Sequence, residues 1–77
     1  MATGFVLITT TPGKEHDVRN KLDDIENVTN RWMLFGEYDL IAKVEADEEY
    51  TLTKVIVEEI RPIAGITDTK TLLGAEI

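Results

Sequence analysis

An α+β fold of the ferredoxin-like βαββαβ type, a four-stranded antiparallel sheet with two helices on one face, is what this 77-residue sequence predicts. Three observations lead there. Four stretches rich in β-branched and alternating apolar residues read as strands. Two stretches with apolar residues at helical spacing separate the first strand from the second and the third from the fourth. The second and third strands are joined by a short turn. Each βαβ half must cross over right-handed and leaves room for a further strand between its own two, so the halves interlock into one sheet.

The first strand is expected over residues 3–11, "TGFVLITTT", ending at Pro12-Gly13, a strong turn signal. Val18, Leu22 and Ile25 mark the inner stripe of a first helix within 14–25. "NVTNRWMLF", 27–35, alternates as a strand, with Val28, Trp32 and Leu34 on one side and Arg31, Met33 and Phe35 on the other. After the Gly36–Tyr38 turn, 39–46 places Leu40, Ala42 and Val44 on one face and Ile41, Lys43 and Glu45 on the other. Asp47 is the expected N-cap of a second helix over 48–60, with Leu52, Val55, Ile56 and Ile60 inward. Pro62 and Gly65 end it, and 66–77 reads as the last strand. The halves echo each other: "VTNRWMLFG" and "ITDTKTLLG" both run from a β-branched residue and Thr to a Gly eight positions on.

A chain this short buries only about 60–65% of its unfolded surface, so its core is thin. In the first strand Phe5 and Leu7 oppose Val6 and Ile8, which makes both faces apolar. A half-uncovered sheet in a monomer should be polar on its wet side. The second apolar face therefore predicts a sheet-to-sheet dimer about a two-fold axis. Ile8 and Met33 are taken as its outward-facing members.

The formal charge of −7 (15 acidic against 8 basic residues) argues against direct nucleic-acid binding, which needs Lys and Arg to neutralise phosphates. With no cysteine there is no disulfide framework, zinc knuckle or thiol nucleophile. The N-terminal apolar run is too short for a signal peptide or a membrane span, which places the chain in the cytoplasm and away from membranes. His16 is the lone histidine, on a polar helix face, without partners for a triad or a metal. The acidic runs Asp23-Asp24-Glu26 and Asp47-Glu48-Glu49 fall at helix ends, and "TPGKEH" lacks the second Gly and the Lys-Ser/Thr step of a phosphate loop. No catalytic residue, metal site or cofactor is expected.

"GEYD", 36–39, remains. As a turn it needs Gly36 at positive φ and Asp39 bonded to nearby backbone. As a binding lip it offers an aspartate for an ammonium group and glycine-turn N–H groups for a carboxylate.

Those residues carry a resemblance. "FVLITTTPGKEHDV", "ENVTNRWMLFGEYDLIAKV" and "IRPIAGITDTKTLL" resemble the RAM domain, the effector-binding half of the Lrp/AsnC regulators of amino acid metabolism. The most specific element is Gly36-Glu37-Tyr38-Asp39 before an apolar strand, supported by Gly65-Ile66-Thr67. The resemblance implies a homo-oligomer, a dimer through the sheets assembling to a tetramer of dimers, with a free amino acid effector between dimers. Gly36, Tyr38 and Asp39 would form the lip, Thr67 and Thr69 would offer hydroxyls, and Thr53 and Val57 of the second helix would meet the ligand side chain. Family regulators carry an N-terminal helix-turn-helix domain, whereas here the first strand begins within a few residues of Met1. The chain thus reads as a single domain, 1–77, that senses an amino acid alone or mixes into assemblies of full-length Lrp/AsnC regulators. Two other readings stand beside it. One is a purely structural oligomerisation partner; the other is a small dimeric α+β-barrel enzyme, disfavoured because the helix-facing set is aliphatic.

Overall fold

The computed structural model describes residues 1–75. Its elements are β1 (Ala2–Thr10), α1 (Glu15–Asp23), β2 (Val28–Met33), β3 (Leu40–Ala46), α2 (Glu49–Val55) and β4 (Ile66–Leu73). The strands form one sheet in the order β2-β3-β1-β4, with every neighbouring pair antiparallel. This is the ferredoxin-like arrangement. The last strand stops at Leu73 rather than running on, and residues 76 and 77, expected to belong to it, lie outside the described residues.

Alternation along β1 sets the layers. Val6 and Ile8 are fully buried beneath the helices, while Phe5 and Leu7 point the other way and keep part of their surface. Ile8 is therefore a core residue, contrary to its expected outward role, and Leu7 faces out. Val18 and Leu22 of α1, Leu40, Ala42 and Val44 of β3, and Leu52 and Val55 of α2 close the core. Beyond α2 a π-helical turn, Ile56–Ile60, ends in an Arg61 N–H bond to the Ile56 carbonyl at 3.0 Å, and both isoleucines stay buried.

Asp47 is not the cap of α2. The helix begins at Glu49, and its N-cap position is Glu48, with extended backbone and no side-chain cap bond. The reason lies in β3: the Glu45 N–H donates to the Asn27 carbonyl at 2.9 Å, and Asn27 Nδ2 returns a bond to the Glu45 carbonyl at 3.0 Å. The strand is held extended through Ala46, and Asp47 and Glu48 are both spent on the turn.

The alternation expected for β2 also needs correction. Val28 stands opposite Val44, yet Asn30 stands opposite Lys43, so Thr29 is an extra residue and the strand bulges there. Past the bulge Arg31 faces Ala42, Trp32 faces Ile41 and Met33 faces Leu40. Directly paired residues share a face of the sheet. Val28, Arg31 and Met33 thus belong to the helix side and Trp32 to the open side. Met33 does not share a face with Ile41, and Val28 does not share one with Trp32. Arg31 uses its position to reach α1, its Nε donating to Asp23 Oδ1 at 3.0 Å and its terminal nitrogen to Oδ2 at 3.1 Å. These bonds hold the Asp23 carboxyl below, and the Arg31 guanidinium above, their ordinary pKa values.

Candidate functional site

The loop between β2 and β3 is built by its backbone. Gly36 sits at φ 130°, where an L side chain is strained although nothing crowds its Cβ direction. The Leu34 N–H donates to the Asp39 carbonyl at 2.9 Å and closes the hairpin.

Asp39 is the hub. Its N–H donates to the Ile8 carbonyl at 2.8 Å. Its carboxylate Oδ2 accepts the Thr10 N–H at 2.7 Å and the Thr10 hydroxyl at 3.3 Å. The need is local: β3 starts at Leu40, opposite Ile8, so Thr10 extends beyond it and its buried amide has no β3 carbonyl to meet. The carboxylate takes that place. Asp39 does bond backbone, but 29 residues away rather than nearby. Among the described residues no hydrogen bond is made to its other oxygen, Oδ1.

Thr67 sits on the far side of the end of β1, where β4 bulges against Thr9 and Thr10. Its hydroxyl donates to Thr9 Oγ1 at 3.1 Å, and Thr9 donates on to the Asp68 carbonyl at 3.2 Å. Thr69 pairs with Ile8 and so belongs to the helix side. Thr53 and Val57 are exposed on the outside of α2 and the turn after it. One chain therefore brings Asp39, from the loop that holds Gly36 and Tyr38, and Thr67 to the end of β1, while Thr53 and Val57 are exposed on α2 and the turn after it. Sequence reading missed Thr9 and Thr10; the run of threonines just before Pro12-Gly13 was the available signal.

A concavity of about 670 Å³ lies at the opposite end of the sheet, lined by Met1, Ala2, Thr3, Asp47, Glu49, Leu52, Leu73, Gly74 and Ala75. None of the expected site residues borders it. A smaller groove of about 370 Å³ runs between α1 and the start of β4, along Lys14, Asp17, Asn20, Lys21, Ala64 and Gly65. Among the described residues no group of three or more His, Asp or Glu side chains is placed to hold a metal ion, and no helix is long and apolar enough to cross a membrane.

The open side of the sheet carries two rows across all four strands. One runs Trp32, Ile41, Leu7, Lys70; the other runs Asn30, Lys43, Phe5, Leu72. Trp32 is 43% exposed and Leu72 48%. An apolar centre is thus flanked by two lysines.

Residues 3–74 match the family model described as the Lrp/AsnC ligand binding domain. An uncharacterized HTH-type transcriptional regulator of Pyrococcus furiosus is 30% identical over 75 residues, which cover 94% of this chain and 50% of that protein. The chain spans about half the length of the curated relatives it matches. Among solved structures, FFRP-DM1 is 40% identical with a TM-score of 0.92, over 97% of this chain and 100% of that one. A hypothetical protein from Pyrococcus horikoshii is 39% identical with a TM-score of 0.91, over 100% of this chain and 93% of that one.

Proposed function

The chain belongs to the Lrp/AsnC ligand binding domain family, and from that premise we propose that it binds a free amino acid as a regulatory effector within an assembly of sheet-to-sheet dimers. The observation that carries the amino-acid reading is the half-used carboxylate of Asp39. One oxygen is fixed by Thr10, so the group is held in place without help from a ligand. The other oxygen is left for an ammonium group, and the N–H groups of the Gly36 turn suit the α-carboxylate. Preorganisation of this kind lowers the entropy lost on binding.

Thr53 and Val57 are exposed on the outside of α2 and the turn after it. The family resemblance puts the effector between dimers, where a neighbouring dimer would supply Thr53 and Val57, with Thr67 and Thr69 as further candidate contacts. Neither helix residue is charged, so the favoured effector has a neutral side chain, polar or small and apolar. Glu37 is the nearest alternative anion. The sheet dimer follows from the Phe5, Leu7, Trp32, Ile41 and Leu72 face, and linkage then makes effector binding strengthen the larger assembly. Its net charge of −7 argues against DNA binding by the chain itself.

The Asp39–Thr10 bonds also favour a second reading, in which the loop is purely structural and the domain only oligomerises. Calorimetry with neutral amino acids on the wild type and Asp39→Asn separates the two. The asparagine oxygen retains the Thr10 bond while the ammonium anchor is lost. Binding weakened about 10- to 150-fold, the worth of a charge-assisted bond of roughly 1.5–3 kcal/mol, is the expected result. No binding by the wild type, or unchanged binding by the variant, favours the structural reading.

A further inference from the structure

The sequence echo between the two halves has a geometric counterpart. "VTNRWMLFG" contains β2 and "ITDTKTLLG" contains β4, and these are the two outer strands of the sheet. In each, a threonine is the extra residue of a bulge: Thr29 between Val28 and Asn30, Thr67 between Ile66 and Asp68. In each, the residue after that threonine carries a short side chain with an acceptor oxygen. Asn30 Oδ1 accepts the Arg31 N–H at 2.8 Å, and Asp68 Oδ1 accepts the Thr69 N–H at 2.9 Å. The same bond recurs at matching positions of the repeat.

Both bonded amides lie on the free edges. Along an antiparallel ladder, residues alternately turn their N–H and C=O groups toward the paired strand and away from it. The Leu34 N–H reaches the Asp39 carbonyl. Counting back by twos, Trp32 and Asn30 also face β3, while the Met33 and Arg31 amides point outward. The Gly74 N–H reaches the Thr3 carbonyl, so Leu72, Lys70 and Asp68 face β1 and the Thr71 and Thr69 amides point outward. A row of outward amides is a template on which a strand of another chain can pair. Here each row is cut twice in succession, by the bulge at the threonine and by the side chain that occupies the next outward amide. Past the bulge of β2 this leaves Met33 as the one outward amide without a bond among the described residues. A lone amide does not seed a ladder.

We propose that Asn30 and Asp68 are edge guards, which close both outer strands against pairing with a strand of another chain. An incoming strand must first break the side-chain bond at Arg31 or Thr69, or leave its own carbonyl there unpaired. The acceptor oxygen matters and the charge does not, since a neutral amide serves on β2 and a carboxylate on β4. This inference concerns the edges of the sheet and rests on neither the effector reading nor the sheet dimer, which uses the open face.

Two sets of variants test it. Asn30→Ala with Asp68→Ala removes both acceptors and adds little hydrophobic surface. Asn30→Asp with Asp68→Asn exchanges the side chains and keeps both acceptors. Under agitation below the melting temperature, the alanine pair should form thioflavin-binding, strand-rich assemblies about 10-fold sooner than the wild type. The exchanged pair should match the wild type. In soluble protein, the Arg31 and Thr69 amides should exchange hydrogen roughly 3- to 10-fold more slowly than those of Met33 and Thr71, after correction for intrinsic rates. That protection should vanish in the alanine pair and persist in the exchanged pair. An alanine pair that assembles no faster than the wild type overturns the proposal. So does an exchanged pair that assembles as fast as the alanine pair, or equal exchange at all four amides of the wild type.

Discussion

The two faces of β1 carry nearly the same chemistry and meet different fates. Val6 and Ile8 lose all their exposure beneath two helices; Phe5 and Leu7, equally apolar, keep some of theirs on the open side. Hydrophobicity alone did not decide which pair became core. What decided it was coverage, since both crossover helices pack on one side and the described residues form no third layer for the other. The open face is apolar without a layer of the described residues to cover it. The covered face serves stability, and we read the open face as serving association.

The largest test of that contrast compares neighbours in one strand. Ile8→Ala should cost about 2–5 kcal/mol in urea unfolding, a large share of the roughly 4–12 kcal/mol available to a domain of this size. Leu7→Ala should cost about 1 kcal/mol or less at concentrations where the chain is monomeric. Equal losses would erase the distinction between the faces. Next is the edge of the sheet. Trp32→Asp should weaken dimerisation by about 30- to 150-fold, roughly 2–3 kcal/mol, whereas Met33→Asp, on the helix side, should leave the dimer mass largely unchanged by light scattering. The reverse order would mean that the bulge at Thr29 is misplaced.

Two glycines sharpen the same contrast on a smaller scale. Gly36 at φ 130° faces open space, while Gly65 at φ 102° abuts α1. Both alanine variants incur backbone strain, but Gly65→Ala must also push Lys14 and Val18 aside. Its thermal stability should fall further than that of Gly36→Ala, by roughly 1 kcal/mol. The smallest effect belongs to the exposed Asp23–Arg31 pair at the margin of the covered face. The Asp23 pKa is lowered on folding from its ordinary 3.8. The pair's contribution is therefore full above that value and lost as pH falls through the lowered one. Urea midpoints of the wild type and Arg31→Gln should differ near neutrality and converge in strong acid. A difference that persists there would assign the effect to packing of the arginine stem.

Much of this was legible in the sequence. Val18, Leu22, Leu52, Val55, Ile56 and Ile60 all lie inward, because helical periodicity survives even the π-helical turn. Leu40, Ala42 and Val44 were legible for the same reason in period two. Ile8 and Leu7 were not separable, since a strand apolar on both faces gives no parity signal. Trp32 and Met33 were exchanged because Thr29 bulges, and one extra residue inverts every side chain after it. At the site, Gly36 could be read from turn chemistry. The bond from Thr10 to Asp39 could not, because it depends on where β3 begins relative to β1. The outward placement of Thr53 and Val57 follows from which sheet face α2 covers, and the family resemblance alone did not fix that.

The central position of β1 has a consequence for how the molecule is made. This strand precedes both its neighbours, β3 and β4, in the chain, and β2 is not paired with it. From the making of β1 until β4 is complete, this apolar strand has an unpaired edge. No amino-terminal fragment can finish the sheet, so assembly waits on pairing between the two ends, such as Gly4 with Leu73 and the Gly74 N–H with the Thr3 carbonyl. Such distant pairings are slow to form, and a nascent chain stalled before β4 exposes a strand edge to aggregation. Stopping the chain within β4, before Leu73, should therefore lower the yield of folded protein.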